Sequence, residues 1–180
     1  GHDEKVLEKI WADWEKFASY AFNKSHAACY SWVAYQTAYL KAHYPAEFMA
    51  AVLNSSIRDS KEVVFMIDEC KRMKIDVLGP SVNESEYKFT VNQNGQICFG
   101  MGAVKMVGEA VIQAITEERD TNGKFKDFAD FLIRMSGKGV NRKSIEALAG
   151  AGVFDCFEGM HRAMFYHIEE GDKATFVEKA

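Results

Sequence analysis

The stretch FGMGAVKMVGEAVIQAI, from Phe99 to Ile115, places a glycine-containing turn directly before an apolar helical pattern. The first backbone N–H groups of a helix have no acceptor within it, so together with the helix dipole they favour a phosphate group. Lys105 beside the turn adds a positive charge. If the turn binds a phosphate, a larger residue at Gly108 is expected to weaken that binding by straining the turn. In the alternative interpretation, Gly108 only allows a tight turn between packed helices. The stretch therefore predicts a turn that is either a phosphate-binding site or purely structural.

The chain that follows this stretch repeats its pattern. A helix, a polar or glycine turn and a second helix occur twice between about residues 100 and 154. In the second copy the turn covers residues 136–139, and the later helix stops at the glycines within residues 150–152. Two helical hairpins in succession are therefore expected in this half of the chain.

The chain that precedes the stretch changes from helical to alternating periodicity after residue 80. Apolar residues alternate on both sides of Gln93-Asn94-Gly95, and a three-residue loop with Gly95 in the left-handed conformation pairs Val91 with Ile97. This pairing keeps the apolar residues on one face, whereas a two-residue loop puts the two sets on opposite faces. We therefore expect one small β-hairpin near residues 87–99.

Most of the chain before residue 74 is expected to be helical. Apolar residues three and four positions apart predict an amphipathic helix from about Asp3 to Ala21, followed by a helix that is apolar around most of its girth. Pro45 is expected to end that second helix and to begin a third. Asp59 and Glu62 match a capping box for a helix over residues 61–73. Four residues of that helix are expected to face a core: Val63, Val64, Ile67 and Cys70.

A polar tetrad, Asn23-Lys24-Ser25-His26, separates the first two predicted helices. Ser25 is a good helix N-cap, which places Lys24 and His26 at the positive end of the following helix. Two such side chains at a helix start suit a polyanion such as a triphosphate. In the alternative, the tetrad is a cap with an exposed Lys24 and a His26 packed under Tyr30. The residues alone leave both interpretations open.

Composition and charge exclude several classes of protein. A formal net charge of −4 argues against a protein that coats nucleic acid by charge alone, so any DNA contact must be local. The apolar runs are too short for a membrane span or a signal peptide. The carboxylates fall where a solvated surface places them, and no histidine pair has metal-ligand spacing. We expect a soluble, cytoplasmic protein that lacks a complete active site.

The two ends of the chain and its cysteines support narrower expectations. Gly1-His2 is typical of the residues left when an expression tag is removed, and the chain stops at Lys179-Ala180 inside a helical pattern. We therefore expect a piece of a longer protein. The four cysteines are far apart among apolar neighbours, so we expect them to be reduced and buried.

Four segments, in order and spacing, resemble family C, the bacterial replicative DNA polymerases that include the DNA polymerase III alpha subunits. The segments are FNKSHAACYSWVAYQTAYLKAHYPAEFMAAVLNS, IDECKRMKIDVLGPSVNESEYKFTV, FGMGAVKMVGEAVIQAI and VNRKSIEALAGAGVFD. The resemblance runs from about Phe17 to Arg162. It implies a mainly α fold, with a helical distal fingers segment over residues 1–58 and a helix-hairpin-helix module over residues 59–168. The module includes the β-hairpin near residues 87–99, and residues 169–180 are expected to begin a further helix or linker.

The resemblance also implies roles for the tetrad. In this family the fingers close over the incoming deoxynucleoside triphosphate and the template, which assigns Asn23, Lys24, Ser25, His26 and Tyr30 to the nucleotide side. Among these, Lys24 and His26 are the expected phosphate contacts. The magnesium-binding aspartates of the family belong to its palm, upstream of the matched segments. No catalytic residue, metal ligand or cofactor is therefore expected in this chain, and magnesium is expected only in the full-length polymerase.

Helix-hairpin-helix modules hold duplex DNA through backbone N–H groups of a Gly-hydrophobic-Gly turn, without reading bases. The matching turn here is Met106-Val107-Gly108, with Lys105 before it, and Met106 stands where the first glycine is usual. A second hairpin is implied at Asn141, Arg142 and Lys143, with charge in place of glycine. No sliding-clamp peptide is found in the sequence.

The leading hypothesis is a non-catalytic segment of a DNA polymerase, a nucleotidyltransferase, that acts in DNA replication. Its implied partners are duplex primer-template DNA, a deoxynucleoside triphosphate and, through regions outside this chain, other polymerase III holoenzyme subunits. No membrane contact is expected. The alternative is an interaction scaffold in which the helix-hairpin-helix elements only pack and bind no nucleic acid.

Overall fold

The computed structural model describes residues 3–20 and 24–166 in two compact units, Gly1–His43 and Tyr44–Ala180. The first unit contains α1 (Glu4–Tyr20) and α2 (Lys24–His43), so both predicted helices are confirmed. Large apolar side chains of both helices are exposed, and no described residue of α2 is buried.

The second unit is mainly helical, with a small sheet near its middle. Its described elements are α3 (Pro45–Ser55), α4 (Ser60–Arg72), β1 (Val77–Leu78), β2 (Thr90–Val91), β3 (Ile97–Cys98), a 3-10 helix (Met101–Ala103), α5 (Glu109–Asn122), α6 (Phe128–Met135), α7 (Arg142–Ala151) and α8 (Arg162–Tyr166). The predicted fold class, mainly α with one small β-hairpin, is confirmed. Pro45 begins α3 as predicted.

The β-hairpin has the predicted register. Strand β2 is antiparallel to β3 with Val91 opposite Ile97, and Gly95 has a φ of +74°. The backbone N–H of Asn92 donates to the carbonyl of Gln96 at 2.9 Å, which closes the loop. Strand β1 pairs with β3 in parallel on its other side, giving the order β1-β3-β2. The sequence did not predict β1, because a two-residue strand is too short to show alternation.

A smaller core lies between the sheet and helices α3 and α4. Its most buried side chains are Met49, Leu53, Val63, Cys70, Phe89 and Ile97. Asn54 of α3 joins the hairpin through both groups of its amide. The amide nitrogen donates to the carbonyl of Phe89 at 2.8 Å, and the N–H of Phe89 donates to the amide oxygen at 2.8 Å. This amide satisfies both backbone groups of Phe89, so it fixes α3 to the hairpin.

A larger core lies among α5, α6, α7 and α8. It is rich in phenylalanine, and the ring centroids of Phe128 and Phe165 lie 5.0 Å apart in an edge-to-face arrangement. Asn83 joins the loop after β1 to this core in the way that Asn54 joins α3 to the hairpin. Its amide nitrogen donates to the carbonyl of Phe125 at 2.9 Å and its oxygen accepts from the N–H of Phe125 at 2.8 Å.

Helix α4 confirms its predicted cap and corrects one predicted core residue. The Asp59 side chain accepts from the N–H groups of Lys61 and Glu62, at 3.0 and 3.3 Å. Val63 is buried, but Val64 is 59% exposed. The prediction for Val64 was wrong because the buried face of α4 is narrow, and the next residue along a helix lies about 100° around its axis.

Two of the four cysteines also differ from expectation. Cys70 is buried and Cys98 is half-buried, but Cys29 and Cys156 are exposed. Apolar neighbours in sequence do not decide burial on a helix or turn, since burial depends on what packs against that face.

The second compact unit begins at Tyr44. Helix α3 contributes Ala46, Met49 and Leu53 to the same core as α4 and the hairpin. The boundary expected near residue 58 therefore falls inside this unit. The assignment of residues 1–58 to a fingers segment and of residues 59–168 to a module stays a prediction.

A buried carboxylate connects α5 to α6 and to the loop that follows α6. Glu118 of α5 is only 7% exposed. It accepts hydrogen bonds from Lys138, from Arg134 Nε at 2.8 Å and from the amide of Asn122 at 2.9 Å. These hydrogen bonds, with that from Lys138 the largest influence, lower the pKa of Glu118 to about 2 from its ordinary 4.5. Arg134 also donates to the carbonyl of Gly123 at 2.8 Å, so the cluster holds the end of α5 as well.

The Glu118 cluster predicts how stability depends on pH. Because the pKa of Glu118 is lowered on folding, ionised Glu118 stabilises the folded state above about pH 4.5, and this contribution is lost as the pH falls towards about 2. We expect Glu118→Gln to be less stable than the wild type at pH 7 and to approach it at pH 2.5, measured by urea denaturation. Glu117→Gln removes the same charge from an exposed neighbouring position and serves as the control. A constant difference between wild type and Glu118→Gln across this pH range would contradict the prediction.

Candidate nucleic-acid interface

The first hairpin consists of the 3-10 helix, the turn of residues 104–108 and α5. Met101 is fully buried and anchors the 3-10 helix, while Gly108 is the N-cap of α5. No side chain caps α5, and the N–H of Val111 is bonded to the carbonyl of Gly108 at 3.1 Å. The N–H groups that precede Val111 at this helix start have no intrahelical acceptor, so they are available to a ligand.

The backbone of the turn differs from the prediction. Met106 has a φ of +67° and its side chain is 78% exposed. Gly108 has a φ of −74° and a ψ of 151°, and a Cβ built there meets no atom within 4 Å. The expectation that a larger residue at Gly108 strains the turn is therefore wrong, because the left-handed residue of this turn is Met106. Met106 occupies the position at which the first glycine is expected, and it adopts a conformation that suits glycine.

The remaining residues of the first turn have distinct positions. Lys105 is exposed and forms no ion pair with any described residue, while Val107 is half-buried against the larger core. Lys105, Met106 and Gly108 therefore form the exposed part of the turn.

The second hairpin consists of α6, the turn of residues 136–141 and α7. Gly137 and Gly139 both have positive φ values, +75° and +78°. Between them, Lys138 is bound to Glu118 of α5. Asn141 is the N-cap of α7, and its side-chain oxygen accepts from the N–H of Ser144 at 3.0 Å. The start of α7 is thus capped by a side chain, whereas no side chain caps the start of α5.

The two cations predicted for the second hairpin have different surroundings. Arg142 Nε is bound to the carboxylate of Glu146 at 2.8 Å, one helical turn away. Lys143 is exposed and has no ion pair among the residues that the structure describes. Asn141, Arg142 and Lys143 lie together at the start of α7, but only Lys143 offers an unpaired positive charge.

In the first unit, the described part of the polar tetrad forms the first turn of α2. Ser25 lies within α2 (Lys24–His43), so the prediction of Ser25 as the N-cap was wrong, because an N-cap residue lies just outside its helix. Asn23 lies outside the described residues. The rings of His26 and Tyr30 are 4.3 Å apart, as expected for residues four positions apart in a helix.

Lys24 and His26 are both exposed at the start of α2. Residues two positions apart lie on nearly opposite sides of a helix, so these two side chains share the helix start but not one face. His26 and Tyr30 share a face, and Tyr30 is 65% exposed. The geometry brings together His26 and Tyr30, with Lys24 directed elsewhere around the helix.

Comparison with known families accounts for the two hairpins. The family model of the helix-hairpin-helix motif matches residues 74–164, about half of the chain. This range contains the first and second hairpins together with the sheet. The chain belongs to the helix-hairpin-helix motif family.

The chain is also similar to DNA polymerase III alpha subunits. It is 50% identical to the subunit of Vibrio cholerae over 97% of this chain and 15% of that protein. It is 47% identical to the subunit of Escherichia coli over 91% of this chain and 14% of that protein. For Pseudomonas aeruginosa the identity is 47%, over 86% of this chain and 13% of that protein. The resemblance stated from the sequence is confirmed, and the chain spans about one seventh of the length of these relatives.

The second compact unit carries a further cation near the first hairpin that the sequence reasoning missed. Arg58, in the turn between α3 and α4, lines the same concavity as Lys105 and Gly108 of the first hairpin. The local sequence around Arg58 is a polar segment between two helices, and nothing in its spacing indicates that it lies near residue 105. Only the packing of α3 against the β-hairpin brings the two positions together.

The residues that the structure describes contain no group of three or more His, Cys, Asp or Glu side chains that could hold a metal ion. Among these residues there is also no helix with the length and apolar content needed to cross a membrane.

The left-handed conformation of Met106 predicts the effect of substitutions in the helix-hairpin-helix turn. We expect Met106→Gly to be at least as stable as the wild type, since a left-handed non-glycine residue costs about 1–2 kcal/mol and glycine avoids this cost. Met106→Val is expected to be less stable, because a β-branched residue is poorly tolerated at positive φ. Urea denaturation measures both changes. Gly108→Ala, at an open position with negative φ, is the control for backbone strain and should cost only the lower preference of alanine at an N-cap. A Met106→Gly protein that is clearly less stable than the wild type would contradict this explanation.

Proposed function

We propose that this chain holds duplex DNA, without reading its sequence, as part of a DNA polymerase. The observation that carries the proposal is the first hairpin, in which a helix start without a side-chain cap follows an exposed turn in a helix-hairpin-helix fold. Backbone N–H groups at such a start, with Lys105 beside them, suit a phosphate of the DNA backbone. Contacts of this kind are independent of base sequence, because phosphates are the same at every position.

The net charge of the chain is compatible with this proposal. A formal charge of −4 gives little long-range attraction to DNA, so binding must depend on a few local contacts. The first hairpin supplies N–H donors and Lys105, and the second hairpin supplies Lys143. Arg142 and Lys138 contribute less, since each is already paired with a carboxylate.

Fluorescence anisotropy with a labelled duplex tests this proposal. We expect the 180-residue chain to bind two duplexes of unrelated sequence equally and to lose affinity steeply as salt is raised. Lys105→Gln should weaken binding and reduce the slope of log affinity against log salt by about 0.9, the value for one lost phosphate contact. Lys71→Gln is the matched control, because Lys71 lies near the far end of α4 and is paired with Asp68 at 3.0 Å.

Two outcomes of this experiment would reject duplex binding. A folded chain that binds no duplex at low salt would favour the alternative function, an interaction scaffold in which the hairpins only pack. Equal slopes for the wild type and Lys105→Gln would remove Lys105 from the interface.

The first unit has a separate role in the same proposal. By similarity to the alpha subunits, Lys24, Ser25, His26 and Tyr30, with Asn23 before them, form the side of the fingers that faces the incoming deoxynucleoside triphosphate. Lys24 and His26, both exposed in the first turn of α2, are the proposed phosphate contacts. Because they lie on different sides of that turn, they would bind different phosphate oxygens.

The chemistry of the polymerase would lie outside this chain. Nucleotidyl transfer in the proposal uses magnesium and carboxylates of the palm, so the chain alone is expected to be inactive. Contacts with other holoenzyme subunits would also be made by other parts of the polymerase. The polymerase would act in DNA replication, in the cytoplasm.

The nucleotide contact predicts a change in the kinetics of a polymerase that carries this segment together with its palm. Lys24→Ala should raise the Michaelis constant for the deoxynucleoside triphosphate and leave the turnover number nearly unchanged, since it removes a binding charge and no catalytic group. Steady-state primer extension measures both constants. Lys41→Ala, at the other end of α2, is the control. A normal Michaelis constant with normal turnover would remove the tetrad from the nucleotide site.

A further inference from the structure

A concavity of about 300 Å³ lies beside the first hairpin and is lined by three separate parts of the chain. These are residues 102–105 and 107–109 of the hairpin, Tyr87, and the segment that joins α3 to α4, with Ile57, Arg58 and the first residue of α4, Ser60. The concavity lies wholly within the second compact unit. It therefore extends the surface of the first hairpin towards α4. A ligand bound there would contact residues outside the hairpin turn as well as residues within it.

The charges that line this concavity favour an anion. Arg58 and Lys105 are exposed, and neither forms an ion pair with any residue in the described part of the chain. Glu109 is the one carboxylate residue among the lining residues, so two positive charges face one negative charge. The neighbouring Asp59 is already used, because its side chain accepts from the N–H groups at the start of α4. Two unpaired cations that line one small space repel each other, and an anion between them relieves this repulsion.

The backbone that carries Arg58 is fixed relative to the first hairpin. Asn54, four residues before Arg58, is bound to both backbone groups of Phe89 at 2.8 Å. The chain beside Phe89 is bound in turn to the start of the hairpin, since the N–H of Gly102 donates to the carbonyl of Tyr87 at 2.9 Å. A Cβ at Gly100 would lie 2.6 Å from the nitrogen of Phe89, which shows how closely the two segments pack. The two cations are thus held on one continuous framework.

We propose that Arg58 is a second phosphate contact of the DNA-binding surface, and that it binds a backbone phosphate of the duplex across the concavity from Lys105. This inference depends on the proposed function, since it adds a residue to the same surface. A guanidinium group suits the role because its planar donors bind two phosphate oxygens at once and its charge does not titrate. The phosphate held by the N–H groups of α5 and the one held by Arg58 would belong to neighbouring positions of the duplex.

The test is the salt dependence of duplex binding by the 180-residue chain, with a labelled duplex and fluorescence anisotropy. Arg58→Gln should lower the affinity at low salt and reduce the slope of log affinity against log salt by about 0.9. Arg58→Lys should keep most of the slope, since the charge is retained. Lys71→Gln is the control for loss of an exposed cation, because α4 separates Lys71 from Arg58 by about 20 Å of helix. Circular dichroism checks that each variant is folded.

The outcomes separate this inference from the proposed function. If Lys105→Gln reduces the slope and Arg58→Gln does not, the role of Arg58 is wrong and the duplex-binding function stands. If the wild type binds no duplex at low salt, both are overturned. A final arm replaces the duplex with a fluorescent deoxynucleoside triphosphate. Binding of that probe that depends on Arg58, without an effect of Arg58 on the duplex, would overturn the assignment to a backbone phosphate.

Discussion

The arrangement of the two hairpins depends on the buried carboxylate of Glu118. A buried charge without partners is strongly unfavourable, so the position of Glu118 on α5 requires donors from whatever packs against it. Arg134 of α6 and Lys138 of the second turn supply them. Because these donors come from the second hairpin and the acceptor from the first, the interaction fixes one hairpin relative to the other. The surrounding phenylalanine core supplies apolar burial, which is not directional and cannot by itself set this register.

This interaction makes the two hairpins chemically unequal. It pairs the charge of Lys138 with Glu118, although Lys138 lies between two glycines with positive φ at the tip of the second turn. The start of α7 is also occupied, since Asn141 accepts from the N–H of Ser144. The start of α5 has no such cap. The helix-hairpin-helix fold is therefore repeated, but of the two hairpins the first is the one whose helix start has no side-chain cap.

The sequence predicted those features of the fold that depend on residues close together in the chain. The alternation around Gly95 gave the hairpin register, and the Asp59 cap and the start of α3 at Pro45 followed from neighbouring residues. The contacts between distant segments were not predictable from spacing. Strand β1 pairs with a partner twenty residues away, and Arg58 lines one concavity with the first hairpin because α3 packs against the β-hairpin. The conformation of Met106 was also missed, although its place in the expected Gly-hydrophobic-Gly pattern was the available signal.

Met106 changes how the first hairpin would hold a phosphate. A glycine at this position leaves the backbone uncovered, so N–H groups can approach a phosphate closely. Here the position carries the exposed side chain of Met106, while the space beside Gly108 is open. Binding would then depend less on the turn backbone and more on the side-chain charges of Lys105 and Arg58. Neutral N–H donors release no counterions, whereas cations do. In the proposed function, this hairpin would therefore bind DNA with a stronger dependence on salt than one with glycine in the turn.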